Sequence, residues 1–220
     1  MMRLRVLCLA TVPLFPATVA SAQHTISLLG GMNLTILANQ AMDDRFPVAF
    51  QRATGANLGL AASYMLSPQD TRQTLSLQLA GTYSEKGAAL GDPGIDFRMD
   101  YLELALLADA KFPSIVDGIF VRFLLGPALA WLQSCQRNFP ADDNRPAMSK
   151  ECEAGEFRDR DFAVVLGSGL EFRLVDRLWL TTSFLYTIGL GYINYVDEFV
   201  EGSLKNRALT LRAGISVPFG

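Results

Sequence analysis

The sequence lacks any long hydrophobic run after its N-terminal segment. Half of its 220 residues are hydrophobic, yet no stretch of about 18 apolar residues occurs beyond residue 22, so no transmembrane helix is predicted there. The apolar residues are spread instead over short segments in which they alternate with polar ones. This distribution argues against a helical membrane protein and indicates strands.

Histidine and positive charge are also scarce. The single histidine, His24, lies beside the predicted mature terminus, where we expect a solvated end residue rather than the general base of a hydrolase. Removing the two arginines of residues 1–22 from 19 basic residues leaves 17 against 22 acidic residues, a net charge of −5, which gives no support for nucleic-acid binding. No metal site, cofactor or enzymatic activity is predicted.

Cysteine is limited to three residues, and the first of them, Cys8, lies in the N-terminal segment. Cys135 and Cys152 form an even pair in an exported protein, so the sequence predicts a disulfide between them. The alternative, a metal-binding pair, is disfavoured because no second cysteine pair is present and His24 is distant.

The N-terminus has the features of a secretion signal. Arg3 and Arg5 precede an apolar segment that ends in Ala20-Ser21-Ala22, a small-residue cleavage site. This predicts a cleaved signal peptide over residues 1–22 and a mature domain over residues 23–220. The alternative is an uncleaved membrane anchor.

The last stretch, from Asn206 to Phe219, alternates in character with a period of two, which predicts a β-strand. Leu209, Leu211 and Ile215 lie on an apolar face, and small or polar residues lie on the other. A membrane barrel needs such a strand, because one face meets lipid and the other a polar lumen. The alternative from this strand alone is an edge strand of a soluble sandwich.

Similar alternation predicts eight strands, and the connections between them are long in the first, third, fifth and seventh places and short in the others. This order predicts an all-β fold, an eight-stranded antiparallel up-and-down transmembrane β-barrel with short periplasmic turns and long extracellular loops. The predicted strands cover residues 24–34, 55–66, 74–84, 97–112, 119–132, 161–174, 178–189 and 206–219.

Charged residues are predicted on the inner faces of these strands. Because an unpaired buried charge is costly, we expect them to form a network that plugs the narrow lumen. The alternative is a polar conduit or a ligand-binding lumen. The predicted network comprises Glu103, Asp109, Lys111, Arg122, Glu171, Arg173 and Arg212.

Aromatic residues near strand ends are expected to form interfacial girdles, with ordinary core packing as the alternative. They are Tyr64, Tyr83, Tyr101, Trp131, Trp179, Tyr186, Tyr192 and Tyr195.

The polar segment 133–160, which holds both remaining cysteines, is the predicted surface for an extracellular ligand. Loops on a rigid scaffold commonly carry recognition. The sequence gives no indication of the ligand's identity.

The order and the local sequences of the strands resemble those of the outer-membrane protein β-barrel domain family, the PorT-like group of "porin family" proteins. Two departures are Ala105, where proline is expected, and Gly220 after the terminal Phe219. The sequence segments that carry the resemblance are Gly31-Met32-Asn33-Leu34, Leu77-Gln78-Leu79, Tyr83 to Gly87, Tyr101 to Leu107, Gly126-Pro127-Ala128, Gly167 to Phe172, Tyr186 to Leu190 and the segment from Asn206 onward.

The resemblance implies fold and location but little about activity. We expect an integral protein of the bacterial outer membrane with a structural or surface-interaction role and a plugged lumen. Its expected partners are the lipid bilayer and, during biogenesis, the barrel-assembly machinery. The alternatives are passive transport of small solutes through a narrow barrel and a soluble ligand-binding β-barrel.

Overall fold

A computed structural model describes residues 24–39, 50–66, 73–90, 95–141, 146–153, 155–175, 177–193 and 204–219. The predicted signal peptide and its cleavage site lie outside these ranges. No helix within them is long and apolar enough to cross a membrane. The strands are β1 His24–Asn39, β2 Phe50–Met65, β3 Thr74–Leu90, β4 Ile95–Pro113, β5 Ile119–Phe139, β6 Met148–Glu151, β7 Arg160–Val175, β8 Leu178–Gly189 and β9 Leu204–Phe219.

Eight of these strands close into one antiparallel barrel, which confirms the predicted fold. The order is β4-β3-β2-β1-β9-β8-β7-β5, and pairing between β4 and β5 completes the ring. The first and last barrel strands pair along their whole length, from His24 with Phe219 to Asn39 with Leu204. Each barrel strand therefore has a partner on both sides, which satisfies the backbone without solvent.

The alternation of the sequence places apolar side chains outside the barrel. On β4, Leu102, Leu104 and Leu106 are 43–50% exposed, whereas Leu107 and Asp109 on the opposite face are fully buried. Comparable exposed leucines, isoleucines and phenylalanines occur on every other barrel strand. A surface of this size with so many apolar side chains needs an apolar environment around it.

The barrel strands extend further than predicted at the end of the barrel where β1 ends and β2 begins. β3 continues to Leu90 and β4 begins at Ile95, so the predicted connection over residues 85–96 is largely strand and the third connection is not long. Gly87 permits this extension, because a Cβ there would lie 2.0 Å from the Phe97 carbonyl oxygen. Likewise, β5 runs to Phe139 and pairs with β6, so segment 133–160 is not one loop.

We call the end of the barrel near Leu90 and Phe139 the outer end, and the end near His24 and Phe219 the inner end.

The core lies inside the barrel in several layers. One apolar cluster joins Leu107, Leu124, Val165 and Leu185 at mid-height. A second joins Leu29, Ala61 and Ala80 on the other wall, and a third closes the outer end.

Candidate functional site

Four charged side chains form a compact cluster in the inner half of the lumen. Arg122 donates to Asp109 from Nε at 3.2 Å and from Nη2 at 2.6 Å. Its Nη1 lies 3.5 Å from Glu171, and Lys111 Nζ donates to both Glu171 oxygens at 2.8 and 2.9 Å. Each cation thus faces an acid, which offsets the cost of removing these charges from water.

The strand register produces this cluster. Lys111 lies opposite Arg122 in the β4–β5 pair, and Arg122 lies opposite Gly169 in the β5–β7 pair, next to Glu171 on the same face. Asp109 is fully buried and Arg122 is 3% exposed. The cluster therefore fills the lumen where β4, β5 and β7 meet.

A second ion pair lies nearer the outer end. The Lys86 ammonium binds Glu103 and lies 5.3 Å from the centre of the Tyr101 ring. Lys86 shares a face of β3 with Thr82 and Ser84, because side chains two positions apart on a strand lie on the same face. Its position in the sequence therefore indicates that it points inward. Lys86 is absent from the predicted network because residues 85–96 are predicted to connect two strands.

The two remaining residues of the predicted network lie apart from these pairs. Arg173 is exposed at the inner end, beyond the lumen, and no ion pair of the described residues includes it. Its inward parity does not bury it because β7 ends two residues later, at Val175. Arg212 does face the lumen and is 6% exposed, but its Nε has no hydrogen-bond partner.

Neutral polar residues outside the predicted network connect several strands across the lumen. Asn33 donates to Ser84 Oγ at 2.8 Å and accepts from Thr210 Oγ1 at 2.8 Å. Asn206 donates to Asp161 at 2.9 Å. Since these residues alternate with apolar outward residues, the period of two is the signal that could have identified them.

Apolar side chains cover the outer mouth of the lumen. Phe157, from the segment between β6 and β7, and Ile193, from the segment after β8, are 8% and 1% exposed and pack with Tyr101 and Met99. The Ile193 backbone fixes this arrangement, because its amide donates to the Leu204 carbonyl at 2.9 Å and its carbonyl accepts from Arg158 at 2.7 Å. Residues 157–158 and 193 therefore lie over the lumen.

The disulfide lies beside this cover. Cys135 on β5 is bonded to Cys152, directly after β6, with their Cα atoms 5.4 Å apart, as predicted. A groove of about 310 Å³ runs between these strands and the following segment; it is lined by Leu132, Ser134, Gln136, Glu151, Glu153 and Asp159, among others.

The aromatic residues divide between the outer surface and the lumen. Tyr64 and Tyr83 are 49% and 39% exposed on the outer surface, consistent with a girdle, but Tyr101 is fully buried. Tyr101 shares the inward parity of Glu103, so its assignment to the girdle was wrong. Trp179 was also misassigned, because it shares the inward face of Thr181 and contacts Phe120 at a ring distance of 5.6 Å. Tyr195 lies outside the described residues.

His24 is part of an aromatic group on the outside of the barrel. Its ring stacks on Tyr64 at 4.8 Å and lies 5.6 Å from the Phe219 ring. His24 is thus a half-buried end residue rather than a fully solvated one, since pairing of β1 with β2 and β9 brings these rings together. Within the described part of the chain, no group of three metal-binding residues occurs.

The closed barrel, the apolar outer surface and the filled lumen define a class, the small β-barrel proteins of bacterial outer membranes. Among solved structures, OprG from Pseudomonas aeruginosa is similar over 90% of this chain and 96% of that chain, with 14% identity and a TM-score of 0.52. The outer-membrane protein AlkL, determined in lipid bilayers, is similar over 95% of this chain and 97% of that chain, with 15% identity and a TM-score of 0.51. These likenesses are likenesses of fold.

No family model matches the chain, and no curated protein matches it. The chain has the fold and outer surface of an integral outer-membrane β-barrel protein. The resemblance to the PorT-like group stays a prediction.

Proposed function

We propose that the protein is an integral component of the bacterial outer membrane with a structural or surface-interaction role and a plugged lumen. The observation that carries this proposal is the combination of an apolar outer surface with an interior filled by paired charges. Lipid would replace water around the exposed leucines, and the ion pairs would make the interior a solid core. The PorT-like group remains the finer family assignment that we propose.

The filled interior favours this role over passive transport. Leu107, Leu124, Val165 and Leu185 pack together at mid-height, and the Arg122 cluster occupies the adjacent part of the lumen. A solute that passed along the axis would have to separate buried ion pairs and the apolar cover at Phe157. Both barriers are high in a medium of low dielectric constant.

The outer end is the surface that we propose for interaction. β6 projects beyond the barrel, all four of its residues are exposed, and the disulfide holds it next to the groove. Because the disulfide restrains β6, its side chains would lose little conformational freedom on binding a partner. We propose an extracellular ligand at segment 133–160.

Biogenesis would use the barrel-assembly machinery, and β9 would be the strand that it recognises. β9 presents Leu211, Ile215 and Phe219 on its outward face, each about half exposed. It also closes the barrel by pairing with β1. This makes it the last edge to be joined.

The first experiment is membrane partition combined with heat-modifiable gel migration. The protein would be expressed with its signal, and outer membranes would be washed in high salt and analysed with and without boiling. We expect retention in the membrane and a mobility shift on boiling. Release into the soluble fraction without a shift would contradict the proposal and favour a soluble barrel.

Conductance across planar bilayers tests the transport alternative. We expect no channel activity from the folded protein, because the lumen is filled. Steady conductance that changes when Arg122 or Glu103 is replaced would favour passive transport over the structural role.

A further inference from the structure

Not every cation inside the barrel is held by an ion pair. Three acids bind three cations, and one cation is left over. Glu103 binds Lys86, Asp109 binds Arg122, and Glu171 binds Lys111. The remaining cation is Arg212, which is 6% exposed; no ion pair of the described residues includes it, and its Nε has no hydrogen-bond partner.

Asp161 is the other buried acid, but it is too far away to serve Arg212. It accepts a hydrogen bond from Asn206 at 2.9 Å. Asn206 lies six positions before Arg212 on the same strand, which corresponds to about 20 Å along β9. The Arg212 guanidinium, which keeps its charge in proteins, is therefore without a direct counter-charge.

The two residues that lie opposite Arg212 in the strand pairs are small. Its neighbours across the strand pairs are Ser183 on β8 and Gly31 on β1. A Cβ at Gly31 would lie 2.7 Å from the Arg212 Cβ, and one at Gly169, beyond Ser183, would lie 2.1 Å from the Thr182 carbonyl oxygen. Glycine at both positions lets the backbones on either side of Arg212 and Ser183 approach each other closely.

We infer that Arg212 holds a small inorganic anion of the halide type inside the barrel, with the Ser183 hydroxyl as a second donor. A buried guanidinium that lacks a partner destabilises the folded protein, and an anion at hydrogen-bond distance would remove that penalty. Arg122 adds positive potential nearby, whereas Glu103 and Asp109, which also act on Arg212, each have a cation of their own. The site is independent of what binds at the outer end.

The test uses the full mature protein folded in detergent, with bromide as the probe. The unfolding midpoint would be measured against bromide concentration, with gluconate added to keep the ionic strength constant. We expect the midpoint to rise with bromide for the unchanged protein, because a ligand that binds only the folded state stabilises it. Crystals grown in bromide should show an anomalous peak beside the Arg212 guanidinium.

Two substitutions on β9 provide the comparison. Arg212→Met should weaken bromide binding about tenfold or more, since it removes the charged donor. Arg207→Met is the matched control, because Arg207 is exposed on the outer face of the same strand, and it should keep the full bromide response.

Three results would overturn the inference. The first is equal midpoints in bromide and gluconate for the unchanged protein, which would mean that water fills the space. The second is a bromide peak in crystals without any effect on the midpoint, an adventitious ion only. The third is a bromide response that Arg212→Met leaves intact. If Arg212→Met fails to fold, the peak and the response of the unchanged protein still decide the question.

Discussion

At the scale of single residues, burial makes Asp109 the acid on which the inner cluster depends most. Its side chain is fully buried and accepts two hydrogen bonds from Arg122. Glu171 by contrast is shared by two cations. Removal of one partner from a buried pair costs more than the pair contributes, because the remaining charge stays in a medium of low dielectric constant.

Asp109→Asn should therefore destabilise the barrel by about 3–5 kcal/mol. The measurement is the free energy of unfolding in urea, with refolding into detergent micelles to establish reversibility. Glu153→Gln is the control, because Glu153 is 74% exposed and its one cation, Lys150, is also exposed. Equal stability of the two variants would contradict a structural role for the cluster.

The same residues show what the sequence could predict of the lumen. The alternation along β4, β5 and β7 is enough to predict that Glu103, Asp109, Lys111, Arg122 and Glu171 lie inside the barrel. It could not predict the partners, because these depend on the stagger between strands. Nor could it predict that Arg173 lies past the end of the lumen, since parity gives the face of a strand but not the height at which the barrel ends.

At the scale of elements, the barrel strands and the β5–β6 extension have separate sources of stability. Hydrogen-bond ladders join each barrel strand to two neighbours, whereas β6 has one neighbour and only four residues. The disulfide stabilises β6 in place of a second neighbouring strand. It closes a ring with a sequence separation of 17, and a ring of this size is worth about 3 kcal/mol in the chain-entropy model.

Reduction of the Cys135–Cys152 bond should loosen β6 and the groove and leave the barrel intact. Amide hydrogen exchange should rise for residues 148–153 and stay unchanged for β1 and β9. A paired Cys135→Ser and Cys152→Ser variant should behave like the reduced protein. Loss of the gel shift on reduction would show instead that the barrel itself needs the disulfide.

Element boundaries were predicted well at the inner end and poorly at the outer end. Short turns such as the one between β7 and β8 are marked by charged residues between two alternating runs, and these boundaries match to within one residue. At the outer end, glycine and charge at residues 85–90 indicated a loop. The strand continues there because Gly87 allows close approach to the Phe97 carbonyl oxygen, a contact between strands that no local pattern records.

At the scale of the whole molecule, depth in the membrane should govern the cost of a charge on the outer surface. Leu104 lies at the centre of β4, and Leu75 lies near the inner end of β3; both are exposed. In the proposed arrangement both side chains face lipid, but they lie at different depths in the bilayer.

Leu104→Arg should cost about 2–4 kcal/mol in lipid vesicles, and Leu75→Arg about 0–1 kcal/mol. The measurement is the free energy of unfolding in vesicles of one fixed lipid composition. If the two substitutions were equally tolerated, the exposed leucines would not be facing a bilayer.

The closure of the barrel by β1 and β9 also determines how the protein must fold in time. The pairing of His24 with Phe219 joins residues 195 positions apart (219 minus 24), and contacts this distant in sequence make folding slow. Until that seam forms, β1 and β9 each expose a row of unpaired amides and carbonyls, which are sites for association with other chains. The interval before closure is therefore the period in which the chain is most prone to aggregate and in which a chaperone on either edge would protect it most.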